Sequence, residues 1–269
     1  MRYKLIALDL DGTLNNDRKT IDPPTRDALF TVQSRGIRVV LASARPMPGL
    51  FRERDALDLS AHHGLLMAYN GGAIAEADSG RLLHASPMEI ESAREVLRLL
   101  EKLPVTPILD DGVVFYVTNR NGYMVEYECR NNRMECLERS DLAGTLDFAP
   151  FKILMSAYPE HLQEIQAEIR RSLPVGLSVV QTAPFYLEII PSHTDKGKGL
   201  LSVCRAIGID PSESIAFGDS ENDIPMLRAA GLGIAMGNAD DAVKESADRV
   251  TLSNNENGIA AALMDIILS

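Results

Sequence analysis

The chain has 269 residues, 45% of them hydrophobic and 24% charged, with a formal net charge of -11. That is enough for a sizeable core and more than one core usually takes, so two domains are expected. The acidity, with no Lys/Arg-rich run interleaved with aromatics, argues against nucleic acid or another polyanion as partner; a small anionic substrate stays compatible, because local charges and a metal can reverse the field within one cleft. The apolar run after Lys4 is short and ends in acids, so neither an export signal nor a membrane span is read, and a cytoplasmic monomer or homodimer is expected. Cys129, Cys136 and Cys204 lack Cys-x-x-Cys spacing and read as reduced thiols.

Along the chain, the first strand, Leu5 to Asp9, is followed by a helix from Pro23 to Arg35 that opens on prolines and stops at Gly36. Ile37 to Ala42 reads as a second buried strand, Pro46 to Ala56 as a helix, and Gly64 to Tyr69 as a third strand leading into Asn70-Gly71-Gly72. From about residue 85 to 189 the pattern changes to helix followed by hairpin. Met88 to Leu103 precedes Val113 to Thr118 and Tyr123 to Glu128, two runs joined through Asn121-Gly122, a strong hairpin signal. Strand Ile153 to Ala157, helix Pro159 to Leu173 and strands Leu177 to Gln181 and Phe185 to Ile190 repeat that order. The alternation then returns: helix Lys196 to Ile207, strand Ser214 to Phe217, helix Asn222 to Ala230, strand Leu232 to Ala235, and a last helix from Glu256 to Leu268 capped by Asn254 or Asn255. The fold expected is α/β, a Rossmann-like parallel sheet with helices on both faces, interrupted by an inserted α+β cap. The core would be 1–84 with 190–269 and the cap 85–189, with hinges near 84–87 and 189–192, marked by Pro87 and Pro191.

The chemistry gathers at strand ends. An apolar strand delivers Asp9 and Asp11 to a glycine turn at Gly12, and since unpaired buried charge is costly, both acids belong at the strand's C-terminal end, where open α/β sheets bind ligands. Ser43 ends the second strand with a hydroxyl beside the free N–H groups of the following helix, an anion site or a plain helix cap. Lys196 opens a helix, where the macrodipole disfavours a cation unless an anion joins it; a solvated surface lysine is the alternative. Gly218-Asp219-Ser220-Glu221-Asn222-Asp223 packs carboxylates and an amide behind a strand, a density suited to a hard divalent cation, although Glu221 can serve a capping box.

Asp9-Leu10-Asp11-Gly12-Thr13, Ser43, Lys196-Gly197 and Gly218-Asp219-Ser220-Glu221-Asn222-Asp223 resemble, in order and spacing, the four motifs of the haloacid dehalogenase-like hydrolases. Asn70-Gly71-Gly72 and the insertion narrow the resemblance to the Cof-type phosphatases with a large α/β cap. One departure is visible: Ala42-Ser43-Ala44-Arg45 stands where relatives commonly have Thr-Gly-Arg, so the hydroxyl is kept while Ala44 replaces a flexible position. The resemblance implies a Mg²⁺-dependent phosphatase with an aspartyl-phosphate intermediate. Carried onto this chain, it makes Asp9 the nucleophile and Asp11 the acid and then base. Mg²⁺ would be held by the Asp9 carboxylate, the Asp11 backbone carbonyl and Asp219, with Asp223 behind them or reached through water. Gly12, Ser43, Ala44, Arg45, Asn70, Gly71, Lys196 and Asn222 would surround the substrate's phosphate, with Ser43 and Lys196 stabilising charge in catalysis. The implied substrate is a small phosphorylated metabolite, sugar phosphates first, with phosphoglycolate-like acids, pyridoxal phosphate and flavin mononucleotide behind them.

The chemistry of the residues agrees, because a carboxylate can attack phosphorus once a metal offsets the repulsion between two anions, and a covalent intermediate divides a slow hydrolysis into two steps. Asp11 separates this chain from relatives of the ion-pump and dehalogenase kinds, which have no carboxylate there. A phosphomutase keeps it and remains an alternative, as does a non-catalytic phosphometabolite-binding regulator. Gly231-Leu232-Gly233-Ile234-Ala235-Met236 lacks the third glycine of a dinucleotide fingerprint, and His62-His63 point apart on regular structure, which disfavours a transition-metal site.

Overall fold

The computed structural model describes residues 2–268 and divides into two compact units, one formed by the chain up to Ala85 and from Asp195 onward, the other by Ser86–Thr194. In the first unit β1 (Leu5–Leu8) is wholly buried. Helix α1 (Pro23–Ser34) starts on two prolines, whose fixed φ suits a first helical turn, and buries Ala28, Leu29 and Val32. Gly36, at φ +83°, turns the chain into β2 (Arg38–Ala42). A 3₁₀ turn, Met47–Leu50, and the short α2 (Phe51–Ala56) lead to β3 (Leu65–Ala68), after which β4 (Ala73–Glu76) and β5 (Leu82–Ala85) extend the sheet antiparallel.

The inserted unit begins with α3 (Ile90–Leu100), then β6 (Thr106–Asp110) and β7 (Val114–Val117). Helix α4 (Val125–Asn132) crosses to β8 (Glu135–Glu138), and the short α5 (Leu142–Thr145) precedes β9 (Ile153–Ser156), α6 (Pro159–Ser172), β10 (Leu177–Ala183) and β11 (Tyr186–Pro191). Its sheet runs β10-β11-β9-β6-β7-β8. Strand alternation sends Leu109, Ile153, Met155, Leu187 and Ile189 to the face packed with Val96 and Leu97 of α3 and Leu162 and Ile169 of α6; Ile108, Phe115, Leu154 and Tyr186 form a second cluster with Val125 of α4.

The chain returns through α7 (Lys196–Ile207), β12 (Ser214–Gly218), a 3₁₀ turn at Glu221–Asp223, α8 (Ile224–Ala229), β13 (Leu232–Ala235), α9 (Asp241–Glu245) and β14 (Arg249–Val250). It ends in α10 (Gly258–Leu263), which widens into a π-helical turn at Met264–Leu268. The core sheet runs β14-β13-β12-β1-β2-β3-β4-β5, parallel from β14 to β3. Leu5, Ala7, Val40 and Ala216 pack with Leu200 and Val203 of α7 and Met226 of α8 on one face, while α1 packs against β2 and α10. Strand order reverses at β1, with β2 on one side and β12 on the other, the switch point where the carboxyl ends of open sheets leave a crevice. Among the described residues no helix is long and apolar enough to cross a membrane.

The fold class is as expected, but several local expectations are corrected. Tyr123 to Glu128 is not the second arm of a hairpin: from Val125 it is helix α4, and Gly122 instead closes a tight turn on the Asn119 carbonyl. The antiparallel partner of β7 is β6, joined through Asp111-Gly112, where Gly112 takes φ +86° and the Asp111 carboxylate accepts from the Val113 and Val114 N–H groups. Alternation over six residues cannot separate strand from helix when a longer-range partner is available. The last helix is not capped by Asn254 or Asn255; Ser253 and Glu256 form a capping box on the turn before it, and the Asn254 side chain is turned inward to the Asn15 carbonyl. Strand β11 continues through Pro191, paired with Leu177, so the chain passes between units at Thr194–Asp195 rather than at 189–192.

Close backbone approach fixes the start of α7. A Cβ on Gly199 would fall 2.8 Å from the Gly71 Cα. Gly199→Ala should therefore lower stability by about 1–3 kcal/mol, overpacking outweighing the gain of about 1 kcal/mol in helix propensity. Urea denaturation checks this, and an unchanged or raised midpoint refutes it.

Candidate active site

Asp9 is the first residue beyond β1, and its N–H still donates to the Phe217 carbonyl at 3.1 Å, so the parallel pairing with β12 carries the acid to the sheet edge. Gly12 then turns the chain at φ +83°, and a Cβ there would lie 2.9 Å from Asp219 Oδ1. Only glycine fits this turn against the β12 loop. Thr13 Oγ1 donates to Asp219 Oδ1 at 2.7 Å, which stitches the two loops together, and Asn238 Nδ2, from the loop after β13, donates to the Gly12 carbonyl at 2.8 Å.

Beyond β12 the chain folds back on Asp223. Its Oδ2 accepts from the N–H groups of Asp219 and Ser220, each at 3.0 Å, and a Cβ on Gly218 would come 2.6 Å from its Cγ. Its Oδ1 accepts from Lys196 Nζ at 2.5 Å, and the same ammonium donates to Asp9 Oδ1 at 2.6 Å. Lys196 is 1% exposed and Asp223 fully buried. Burial works to lower the lysine's pKa, but the Asp223 and Asp9 carboxylates hold it above its ordinary value. The Asp9 carboxyl moves the other way: burial and the nearby Asp223 charge raise it well above the usual carboxylate range against the pull of Lys196. Asp219 is raised too, by burial first and by Asp223, against the hydrogen bond from Thr13.

Oxygens of Asp9, Asp219 and Asp223 lie within 4.8 Å of one another. Three carboxylates facing one ammonium leave two negative charges without a counter-charge in a buried place, a set of hard oxygen donors that fits a divalent cation.

Asp11, two residues on from Asp9, stands outside that cluster and is gripped separately. Arg45 Nε donates to Oδ2 at 2.9 Å and Nη2 to both oxygens at 2.7 Å, while Lys19 Nζ lies 2.6 Å from Oδ1. Burial would raise the Asp11 pKa, but Arg45 and Lys19 outweigh it and hold the carboxyl below its ordinary value. Arg45 is anchored by the Gly49 carbonyl and stands near the buried Glu53, which accepts from Asn15 Nδ2 at 2.9 Å. Ser43 follows β2 in the same loop; it caps no helix, and its Oγ accepts from the Arg45 N–H at 3.2 Å. Ala44 lies between them, half-buried.

The loop after β3 completes the edge. Tyr69, Asn70 and Gly71 are three successive residues with φ of +53°, +54° and +94°, held by hydrogen bonds from the Tyr69 N–H to the Arg45 carbonyl and from the Asn70 N–H to the Ser43 carbonyl. Left-handed backbone at non-glycine residues is strained and persists where surroundings enforce it. Here it sets Asn70 Oδ1 to accept from Asn222 Nδ2 at 3.1 Å. The residues named from the sequence thus fall into three contacting groups: Asp9, Asp219, Asp223 and Lys196; Asp11, Arg45 and Ser43; Asn70 and Asn222. Gly12 and Gly71 supply close approaches. Sequence reasoning missed Lys19 and Asn238, polar residues on loops whose spacing carries no periodic signal, and Glu53, in the first turn of α2, and it gave Thr13 no role of its own.

The haloacid dehalogenase-like hydrolase family profile matches residues 6–263. A haloacid dehalogenase-like hydrolase from Bacteroides thetaiotaomicron superposes with a TM-score of 0.93 at 33% identity, over 98% of this chain and 100% of that one. The 5-amino-6-(5-phospho-D-ribitylamino)uracil phosphatase YitU of Bacillus subtilis is 30% identical over 271 residues, 97% of this chain and 96% of the relative. The phosphoglycolate phosphatase of Methanopyrus kandleri is 29% identical over 263 residues, 98% and 97% of the two chains. Carrying the motifs on a parallel sheet interrupted by an inserted α+β unit, the chain belongs to the haloacid dehalogenase-like hydrolases, in their Cof-type branch.

Proposed function

We propose that this protein is a magnesium-dependent phosphatase that hydrolyses small phosphomonoesters through a phosphoryl group carried on Asp9. The observation that carries this reading is the buried Asp9 carboxylate, fixed through Oδ1 by Lys196 beside two further acids. Its Oδ2 accepts no hydrogen bond from the described residues, so one oxygen is oriented while the other is left to react.

In the reaction Asp9 Oδ2 forms a bond to phosphorus as the ester P–O bond breaks, and Asp11, having taken up a proton from solvent as the substrate binds, gives it to the departing alkoxide. Asp11 then takes a proton from water as that water's oxygen bonds to phosphorus, releasing inorganic phosphate and restoring Asp9. Lys196, Ser43 and Asn222 bind the phosphoryl oxygens, with the backbone N–H groups of Gly12 and Ala44 beside them and Asn70 and Gly71 setting Asn222 and the start of α7. Arg45 orients Asp11. Asp9 and Asp219, with the Asp11 carbonyl, would hold Mg²⁺, whose charge would let a carboxylate meet a phosphate dianion. Asp223, with both oxygens already engaged, holds Lys196 and the loop in place.

A sugar phosphate is the substrate class this reading favours. The relatives above are named for different esters, one a phosphorylated ribityl chain and the other phosphoglycolate. The resemblance to capped phosphatases assigns selection among leaving groups to the inserted unit, 86–194.

Asp9→Asn should lose turnover of every phosphomonoester, since an amide cannot form an acyl phosphate. Asp11→Asn should still release one equivalent of p-nitrophenol in a rapid burst from p-nitrophenyl phosphate and then stall, because the step that needs the base is lost. Sustained turnover by Asp9→Asn overturns the mechanism.

Chelation should abolish activity and Mg²⁺ restore it, whereas Ca²⁺, with its larger and more variable shell, should support it poorly. Mg²⁺ should also raise the melting temperature, by neutralising the repulsion around Asp9 and by mass action. In Asp219→Ala that thermal shift should need at least roughly tenfold more Mg²⁺, as for loss of one direct ligand. Chelator-resistant hydrolysis contradicts the assignment.

A further inference from the structure

Asp11 is held from two sides by residues of different character. Arg45 is buried and meets both carboxylate oxygens. Lys19 reaches Oδ1 at 2.6 Å from the solvent side, with side chains 46% exposed at the lysine and 38% at the aspartate.

A lysine so exposed is ordinarily left to water, yet the chain builds a brace for this one. Lys19 sits at φ +59°, a left-handed conformation that costs a non-glycine residue roughly 1–2 kcal/mol. Its N–H donates to the Asn16 carbonyl at 2.8 Å, and the Asn16 N–H donates to the Thr20 carbonyl at 2.9 Å. Asn16 Oδ1 accepts from the Arg18 N–H, the Thr20 N–H and the Thr20 hydroxyl, while Asn16 Nδ2 donates to Asp22 at 2.8 Å. The same loop is tied to a distant part of the unit, for Asn254 Nδ2 donates to the Asn15 carbonyl and to Asp17, and the Asp17 N–H donates to Asn255 Oδ1.

We propose that Lys19 is a positioning residue that, opposite Arg45, aligns the Asp11 carboxylate for proton transfer to the leaving group; this rests on Asp11 being the acid named above. Arg45 fixes the carboxyl from the buried side and Lys19 limits its rotation from the solvent side, so loss of Lys19 leaves the acid freer to turn away from an ester oxygen.

The test compares leaving groups across Lys19→Met, Lys19→Arg and wild type, with Asp9→Asn alongside. Values of kcat/KM are measured for p-nitrophenyl phosphate, whose departing phenolate needs little protonation, and for an alkyl phosphate the wild type hydrolyses, whose alkoxide needs much. kcat/KM reports steps through ester cleavage and so isolates the acid's part. Lys19→Met should lose roughly tenfold toward the alkyl ester, a fraction of what a general acid contributes in full, and less than about threefold toward the aryl ester on the same scale. Lys19→Arg should recover most of the loss, and melting temperatures should stay close to wild type. Equal losses on both esters would assign Lys19 to attraction of the phosphate and overturn the proposal, as would wild-type values or a gain on the alkyl ester. If Asp9→Asn turns over, the phosphatase mechanism itself has failed; if it is inactive while Lys19→Met behaves as wild type, only the role of Lys19 has.

Discussion

The ammonium of Lys196, buried between Asp9 and Asp223, is the interaction on which the site depends. It is placed where a cation is least welcome, at the N-terminal residue of α7 and away from water, so only the two carboxylates make its charge tolerable. Those carboxylates have the matching need. Asp223 is fixed by two backbone N–H groups and Asp9 by the register of β1 with β12, so the lysine joins a helix start to two strand ends.

This arrangement is left one divalent charge short of balance. Asp219 adds a third carboxylate, and the upward shifts of Asp9 and Asp219 record the same imbalance. A structural ion pair would have been built with equal numbers of opposite charges. Excess negative charge of this kind attracts a cation, while the one lysine of the cluster is already committed to Asp9 and Asp223. Asp11 is treated differently: two cations, Arg45 and Lys19, surround it, which sets its surroundings apart from the acid cluster around Asp9.

The loops that carry these residues are rigid for local reasons. Gly12 passes against Asp219, Gly71 against the start of α7, and Tyr69 and Asn70 are kept left-handed by hydrogen bonds to the loop after β2. Strain at a sheet edge is sustained because the four parallel strands β12, β1, β2 and β3 are buried and fix their own ends. The inserted unit has its own sheet and apolar clusters.

The sequence by itself determined the parallel core, since buried runs such as Leu5–Leu8 and Ile215–Phe217 end in acids or glycine and alternate with amphipathic helices. It also located Asp9, Asp11, Lys196, Asp219 and Asp223, because charges that close to apolar strands have few places to go. Antiparallel strands β4 and β5 and the β6–β7 hairpin through Asp111-Gly112 pair neighbours in the chain, and Val125–Asn132 is the helix that crosses from β7 to its parallel partner β8; which neighbour so short a run takes is decided by packing and is not encoded in its local period. The same holds within the site. Motif spacing brought Asp9 and Lys196 to one edge, but that Lys196 bridges Asp9 to Asp223, that Arg45 and Lys19 take Asp11, and that Asn70 meets Asn222 depended on how segments 8 to 187 residues apart pack, a matter of close approach and charge pairing that only the tertiary structure decides.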